Sequence, residues 1–152
     1  MPASDMNGYC TSAAPSPLVV LAASLASVPG RALDLACGSG RHTLYLRSLG
    51  WSVVAIDRAP GVDDALTLDL ERDPLPFSEG SFDLIIMTLY HQPSLWPVIR
   101  RLLRPGGLLA TSAKLMGRFA ARPGELREAF AGWEVVRYGE GDGVAELVAI
   151  KT

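Results

Sequence analysis

Apolar positions gather in short runs along the chain, and these runs alternate with stretches of helical character. Pro17 to Val28 predicts a helix, with Ser16 able to cap it and Pro17 suited to its first turn; Pro29-Gly30 stops it. Arg31 to Ala36 predicts a short buried strand, and Arg41 to Leu49 a helix stopped by Gly50. Trp51 to Asp57 is rich in β-branched residues and predicts a second strand, with Ala65 to Leu68 a third. Ser81 to Leu89 is almost continuously apolar, the pattern of a strand covered on both faces. Ser94 to Leu103 then predicts a helix, because Pro97 falls in its first turn. Arg104-Pro-Gly-Gly107 ends it and leads into a strand from Leu108 to Ala113. A short helix, Glu125 to Ala131, precedes two strands, Trp133 to Tyr138 and Val144 to Lys151, joined by the Gly-rich turn 139–143.

Strands alternating with helices imply an α/β fold: a doubly wound, mostly parallel sheet with helices on both faces, ending in an antiparallel hairpin. Ligands of such sheets bind beyond the carboxyl ends of the strands, where the strand order reverses. Only seven residues, Arg58 to Asp64, separate the second strand from the third candidate. Seven extended residues reach at most roughly 23–25 Å, enough for a bare crossover but not for one with a useful helix. The helix between strands 2 and 3 is therefore expected to be missing, leaving the neighbouring pocket open on that side.

Composition narrows the class. The chain has 152 residues, 49% of them hydrophobic and 20% charged, which suits one packed domain over 17–152 behind a loose leader at 1–16. A formal net charge of −2 gives no overall pull toward nucleic acid or an anionic membrane. The apolar run Leu18 to Val28 has eleven residues, against about 20 for a membrane-spanning helix. Two cysteines, Cys10 and Cys37, make no disulfide framework, and no Cys/His cluster suggests a metal. A cytoplasmic location is the expectation.

The strongest chemical signal is Asp34-Leu-Ala-Cys-Gly-Ser-Gly40, which leaves a strand and enters a helix. Gly38 and Gly40 clear side chains where a ligand must approach the backbone. Asp57 ends the second strand, where a carboxylate can accept both hydroxyls of a ribose. Asp69 ends the third, where it could accept from an exocyclic amine or belong to a solvated acidic loop with Glu71 and Asp73.

The series DLACGSG, Asp57, Asp69-Leu70, FDLIIMTL at 82–89 and LLRPGG at 102–107 resembles the motifs of class I methyltransferases, which use S-adenosylmethionine. The resemblance covers about residues 31–151. Gly40 to Leu46 and Pro123 to Tyr138 are further similar to small tellurite-resistance-type methyltransferases. This resemblance assigns Asp34 and the backbone of Ala36, Cys37, Gly38, Ser39 and Gly40 to the methionine end of the cofactor. It gives Asp57 to the ribose, Arg58, Asp69 and Leu70 to the adenine, and Thr88 and Leu89 to the wall below the methyl. It leaves the first motif glycine replaced by Ala36. Tyr90 and His91 follow the fourth strand as candidate catalytic residues, with His91 either a base or a capping or substrate-contact residue. His42 is expected to be a pocket wall or exposed. Arg118 and Arg122 could attract an oxyanion, with solvation or pairing with Glu125 and Glu128 the favoured reading.

The expected activity is in-line methyl transfer to a small-molecule acceptor, with a homodimer or a protein partner left open. Two other functions compete. A nicotinamide-dependent oxidoreductase shares the strand, glycine turn and distal acid, but its GxGxxG fingerprint meets Thr43 at the last position. A non-catalytic binding or interaction protein on a degenerate methyltransferase scaffold is motivated by the missing helix.

Overall fold

The computed structural model describes residues 14–152; the greater part of the expected leader, with Cys10, lies outside the described residues. Seven strands form one sheet in the order β3-β2-β1-β4-β5-β7-β6. They are β1 Arg31–Leu35, β2 Ser52–Asp57, β3 Leu66–Thr67, β4 Phe82–Met87, β5 Leu103–Lys114, β6 Glu134–Gly141 and β7 Val144–Ile150. The pairs from β3 through β5 are parallel, and β7 runs antiparallel to both β5 and β6.

Alternation along the central strands divides the core in two, because successive side chains point to opposite faces. Leu33, Leu35, Ile85 and Met87 face one layer, which also holds Ile99 and Leu102 of α3 (Trp96–Leu102) and Leu126 of α4 (Glu125–Ala129). Ala32, Leu84 and Ile86 face the other, with Leu18, Val19 and Ala22 of α1 (Pro17–Leu25) and Leu46 of α2 (Arg41–Ser48). The sheet is thus doubly wound. Ser16 caps α1, accepting from the Val19 N–H at 3.4 Å.

The first helix stops at Leu25, short of Val28, and the helix expected from Ser94 is a 3-10 turn, Pro93–Leu95, leading into α3. Three strand features also differ from the expectation. The strand expected from Leu108 begins at Leu103, because Leu103 pairs with Phe82 before the chain bulges and resumes with Leu108 opposite Leu84. Arg104 to Gly107 form that bulge, with Gly106 at φ +83°, so the Pro-Gly-Gly sequence interrupts a strand instead of preceding one. β3 has two residues instead of four. The final hairpin also turns more tightly, at Asp142-Gly143, with β6 continuing through Gly141.

The β2–β3 connection holds no helix, as its length dictates. It is nonetheless held against the glycine turn. Gly61 donates its N–H to the Gly38 carbonyl at 2.9 Å, and Arg47 donates to the Asp63 carbonyl at 3.1 Å. Val62 packs where a Cβ on Gly40 would otherwise sit.

Candidate functional site

β1 and β4 are adjacent at the centre of the sheet, and the chain departs from them in opposite directions. The carboxyl ends of these strands are therefore the switch point at which a ligand site is expected. Of the site residues expected from the sequence, Ala36, Asp57, Arg58, Asp69, Leu70 and Tyr90 line a pocket there, and Leu89, Tyr90 and His91 line a cleft beside it.

Asp34 is almost wholly buried, 2% exposed, and accepts the Thr43 hydroxyl at 2.6 Å. Burial pushes its pKa up to about 7; the Thr43 hydrogen bond works against this, and Asp57 adds a smaller upward push. Thr43 lies in the first turn of α2, so its position in the helix both breaks the dinucleotide fingerprint and fixes the strand-end acid. The turn that follows takes left-handed conformations at Ala36 (φ +58°), Gly38 (φ +56°) and Gly40 (φ +89°). Ala36 tolerates this at a cost of about 1–2 kcal/mol. The two glycines have different surroundings: a Cβ at Gly38 would meet open space, whereas one at Gly40 would run into Val62. Gly38 is the open point of the cradle, and Gly40 is a packing position.

Asp57 braces this turn. Its Oδ2 accepts the Gly38 N–H and its Oδ1 accepts the Ala59 N–H, both at 2.9 Å. A carboxylate has about four lone-pair positions, so each oxygen retains acceptor capacity. A small pocket of about 100 Å³ lies beside it, lined by Ala36, Arg58, Asp69, Leu70, Glu71 and Tyr90 in addition to Asp57. Asp69 is partly committed to its own loop, where Oδ1 accepts the Glu71 N–H at 2.9 Å. The neighbouring Cys37 has its thiol pushed up to about 12, by burial first and then by Asp34 and Asp57, so it carries no thiolate near neutral pH.

A larger cleft of about 710 Å³ adjoins this pocket, and Tyr90 and Glu71 line both. One wall is the segment Leu89–Ser94 after β4; the other is formed by Lys114 and the loop after β5. Leu89 takes a left-handed φ of +54° and donates its N–H to Ser112 Oγ at 2.8 Å. Such strain concentrates at functional sites. The Tyr90 hydroxyl donates to Gln92 Oε1 at 2.5 Å, and Gln92 Nε2 donates to the Leu70 carbonyl at 2.7 Å. Gln92 thereby locks the ring that separates pocket from cleft. Burial raises the Tyr90 pKa, with Glu71 and Asp69 adding to the effect, so it remains a neutral phenol.

His91 packs at a tilt against Trp96, with ring centroids 5.7 Å apart, and its Nε2 lies 3.5 Å from Glu125 Oε1. Its Nδ1 is buried with no hydrogen-bond partner. A buried N–H without an acceptor is costly, so the ring proton belongs on Nε2 beside the carboxylate and the basic lone pair at Nδ1 is closed off. His42, expected as a pocket wall or an exposed residue, is buried at 4% exposure behind the site. Its Nε2 accepts the Ser16 N–H at 3.0 Å, and its Nδ1 lies 3.4 Å from the Thr88 hydroxyl. Arg122 pairs with Glu125 at 3.8 Å and Arg118 is exposed, both as expected; the Arg118 guanidinium also lies over the Phe119 ring at 5.3 Å. Thr43, Gln92, Ser112 and Glu125 were not singled out as site residues by the sequence. Their roles arise from partners distant in the chain or from local turns that no motif marks. No cluster that could hold a metal ion occurs among the described residues, and no described helix is long and apolar enough to cross a membrane.

A doubly wound sheet with an acid-flanked glycine turn and a cleft at its switch point defines a Rossmann-like, nucleotide-cofactor class of protein. The family is more specific: the sequence profile described as a methyltransferase domain matches residues 33–111, and the chain belongs to that family. An uncharacterized methyltransferase of Synechocystis is 36% identical over 103 residues, 57% of this chain and 49% of that protein. A malonyl-[acyl-carrier protein] O-methyltransferase of Serratia marcescens is 32% identical over 126 residues, 72% of this chain and 46% of that one. The chain thus spans about half the length of these curated relatives. TehB from Haemophilus influenzae superposes with a TM-score of 0.80 at 23% identity, covering 96% of this chain and 65% of TehB. A 1,6-didemethyltoxoflavin-N1-methyltransferase of Burkholderia thailandensis, solved with S-adenosylhomocysteine, superposes at 0.68 with 20% identity, covering 90% and 77% of the two chains. The class I methyltransferase fold expected from the motifs is the observed fold.

Proposed function

We propose that this chain transfers a methyl group from S-adenosylmethionine to a small molecule held in the cleft beside Tyr90. The observation that carries this reading is the pair of cavities sharing Tyr90 and Glu71 as walls, one beside Asp57 and one open to an acceptor. The chain's own features fit the cofactor: an open backbone position at Gly38, a strand-end carboxylate with acceptor capacity to spare, and a buried acid at Asp34.

In this reading Asp57 accepts from the ribose hydroxyls, while Arg58, Asp69 and Leu70 border the adenine. Asp34 and the backbone of Ala36 to Gly40 hold the methionine end, and Thr88 and Leu89 form the wall under the reacting group. When bound, the cofactor supplies a methyl on a sulfonium, a leaving group that needs no acid. The carboxylates of Asp57, Asp69 and Glu71 favour a cationic ligand on this side of the site. The chain's principal contribution is alignment: Gln92 fixes Tyr90, and Ser112 fixes Leu89, so the wall between the cavities is rigid.

Tyr90 and His91 are given contact and positioning roles in this reading. The Tyr90 proton is committed to Gln92, and the free nitrogen of His91 is sealed from the cleft. An acceptor that is already nucleophilic, or that loses its proton to water, suits such a site. A cytoplasmic location accompanies the proposal on composition alone, since two cysteines provide no disulfide framework.

The competing oxidoreductase is disfavoured by Thr43, whose hydroxyl is spent on Asp34 where the dinucleotide turn needs a small residue. Incubation with S-adenosylmethionine and a mixture of thiol, amine, hydroxyl and tellurite acceptors, read by mass spectrometry, tests the activity. Expected is at least one methylated product together with S-adenosylhomocysteine. Cofactor binding without any product across that mixture would favour a non-catalytic scaffold.

A further inference from the structure

The wall of the large cleft after β5 is a loop closed at its base, where Ala121 donates its N–H to the Lys114 carbonyl at 2.8 Å. Within it Met116 is 76% exposed and Phe119 is 74% exposed, among the most exposed large apolar side chains described. Neither helps to form the core. Lys114 and Arg118 stand beside them, and among the described residues neither forms an ion pair. The opposite end of the cleft has the reverse sign. Glu71 lines both this cleft and the pocket beside Asp57, next to Leu70, whose carbonyl accepts from Gln92 Nε2 at 2.7 Å.

The cleft is therefore polarised, with cations and exposed apolar side chains at the β5 end and a carboxylate toward the cofactor pocket. A concavity of this volume falls in the range of small-molecule sites. We propose that the methyl acceptor is a small organic anion with a flat apolar body. Its anionic group is held by Lys114 and Arg118, its body lies against Met116 and Phe119, and its nucleophilic atom points toward Tyr90. This rests on the methyltransferase reading and adds the acceptor's class. Charge opposition orients the molecule, because an anion at the Glu71 end would be repelled.

Saturation-transfer NMR and titration with benzoate, phenyl phosphate and the neutral isostere benzamide test the inference, each in the presence of S-adenosylhomocysteine. At least one of the two anions is expected to bind roughly tenfold more tightly than benzamide, the effect of one charge-assisted hydrogen bond. Which anion wins separates a carboxylate-bearing from a phosphate-bearing acceptor. The preference should shrink with salt and vanish in a Lys114→Met/Arg118→Gln double variant. Phe119→Ser should weaken all three probes together. Equal binding of benzamide, a preference surviving in the double variant, or saturation of no probe would overturn the proposal. Titration of S-adenosylhomocysteine alone on the same samples separates the two failures. Product binding without an anion preference overturns only the acceptor class, whereas an anion preference without product binding contradicts the methyltransferase reading.

Discussion

The carboxylate of Asp57, at the end of β2, accepts the backbone N–H of Gly38 in the turn after the neighbouring strand β1, at 2.9 Å. One side chain thus sets the shape of the glycine turn and stands at the edge of the pocket beside it. Three further relationships at this site lead to expectations about stability and dynamics.

Asp34 ties stability to pH. Its carboxyl titrates near 7 in the folded chain against an ordinary 3.8, chiefly because it is buried. The folded state therefore holds an extra proton between these values, so this stabilising contribution is complete below 3.8 and is lost as pH rises through about 7. An Asp34→Asn variant keeps an acceptor for Thr43 and never ionises. It should be more stable than the parent at pH 8 by about 1–3 kcal/mol, a difference that fades toward pH 4. Denaturant titrations at the two pH values check this, and the same variant should bind S-adenosylhomocysteine more weakly.

His42 works in the opposite sense. Burial, with Arg41 adding to it, lowers its pKa from an ordinary 6.5 to about 4. Its contribution is present above 6.5 and is lost as pH falls through about 4, when a proton on Nε2 would displace the Ser16 N–H. Amide exchange at Ser16, corrected for the intrinsic pH dependence, should lose protection on acidification before the amides of β1 and β4 do. Protection lost together in all three would contradict the local role.

Gly40 is a packing position. Its φ of +89° and the closeness of Val62 leave no room for a side chain. Gly40→Ala should destabilise the chain by about 2–4 kcal/mol, from left-handed strain plus overpacking. Adding Val62→Gly, which removes the Cβ that an alanine at 40 would meet first, should recover the steric part but not the backbone part. Thermal melts of the single and double variants distinguish the two.

Much of this arrangement was legible in the sequence, and the limits have physical causes. The apolar run 82–89 and the β-branched run 51–57 marked buried parallel strands, and the count of seven residues after Asp57 excluded a crossover helix. That count could not reveal that Gly61, Val62 and Asp63 would seat against the glycine turn, since their partners come from elsewhere in the chain. Pro105-Gly106-Gly107 carries turn chemistry, and only pairing with β4 makes it a bulge inside β5. Ser112 looked like one more residue of a strand, and nothing near it in sequence pointed to the Leu89 N–H. His91 was visible as a polar residue at a strand end. The choice between base and contact residue depends on Glu125 and Trp96, which no local pattern brings to it.

In the proposed reading the pocket beside Asp57 holds the methyl donor. Calorimetric titration with S-adenosylhomocysteine tests it most directly, with reduced nicotinamide dinucleotide as the control ligand. Expected are binding near one per chain, no binding of the dinucleotide, and at least tenfold weaker product binding in Asp57→Asn, the loss of one charged hydrogen bond or more. A folded parent protein that binds no S-adenosylhomocysteine, or an Asp57→Asn variant with unchanged affinity, would contradict it.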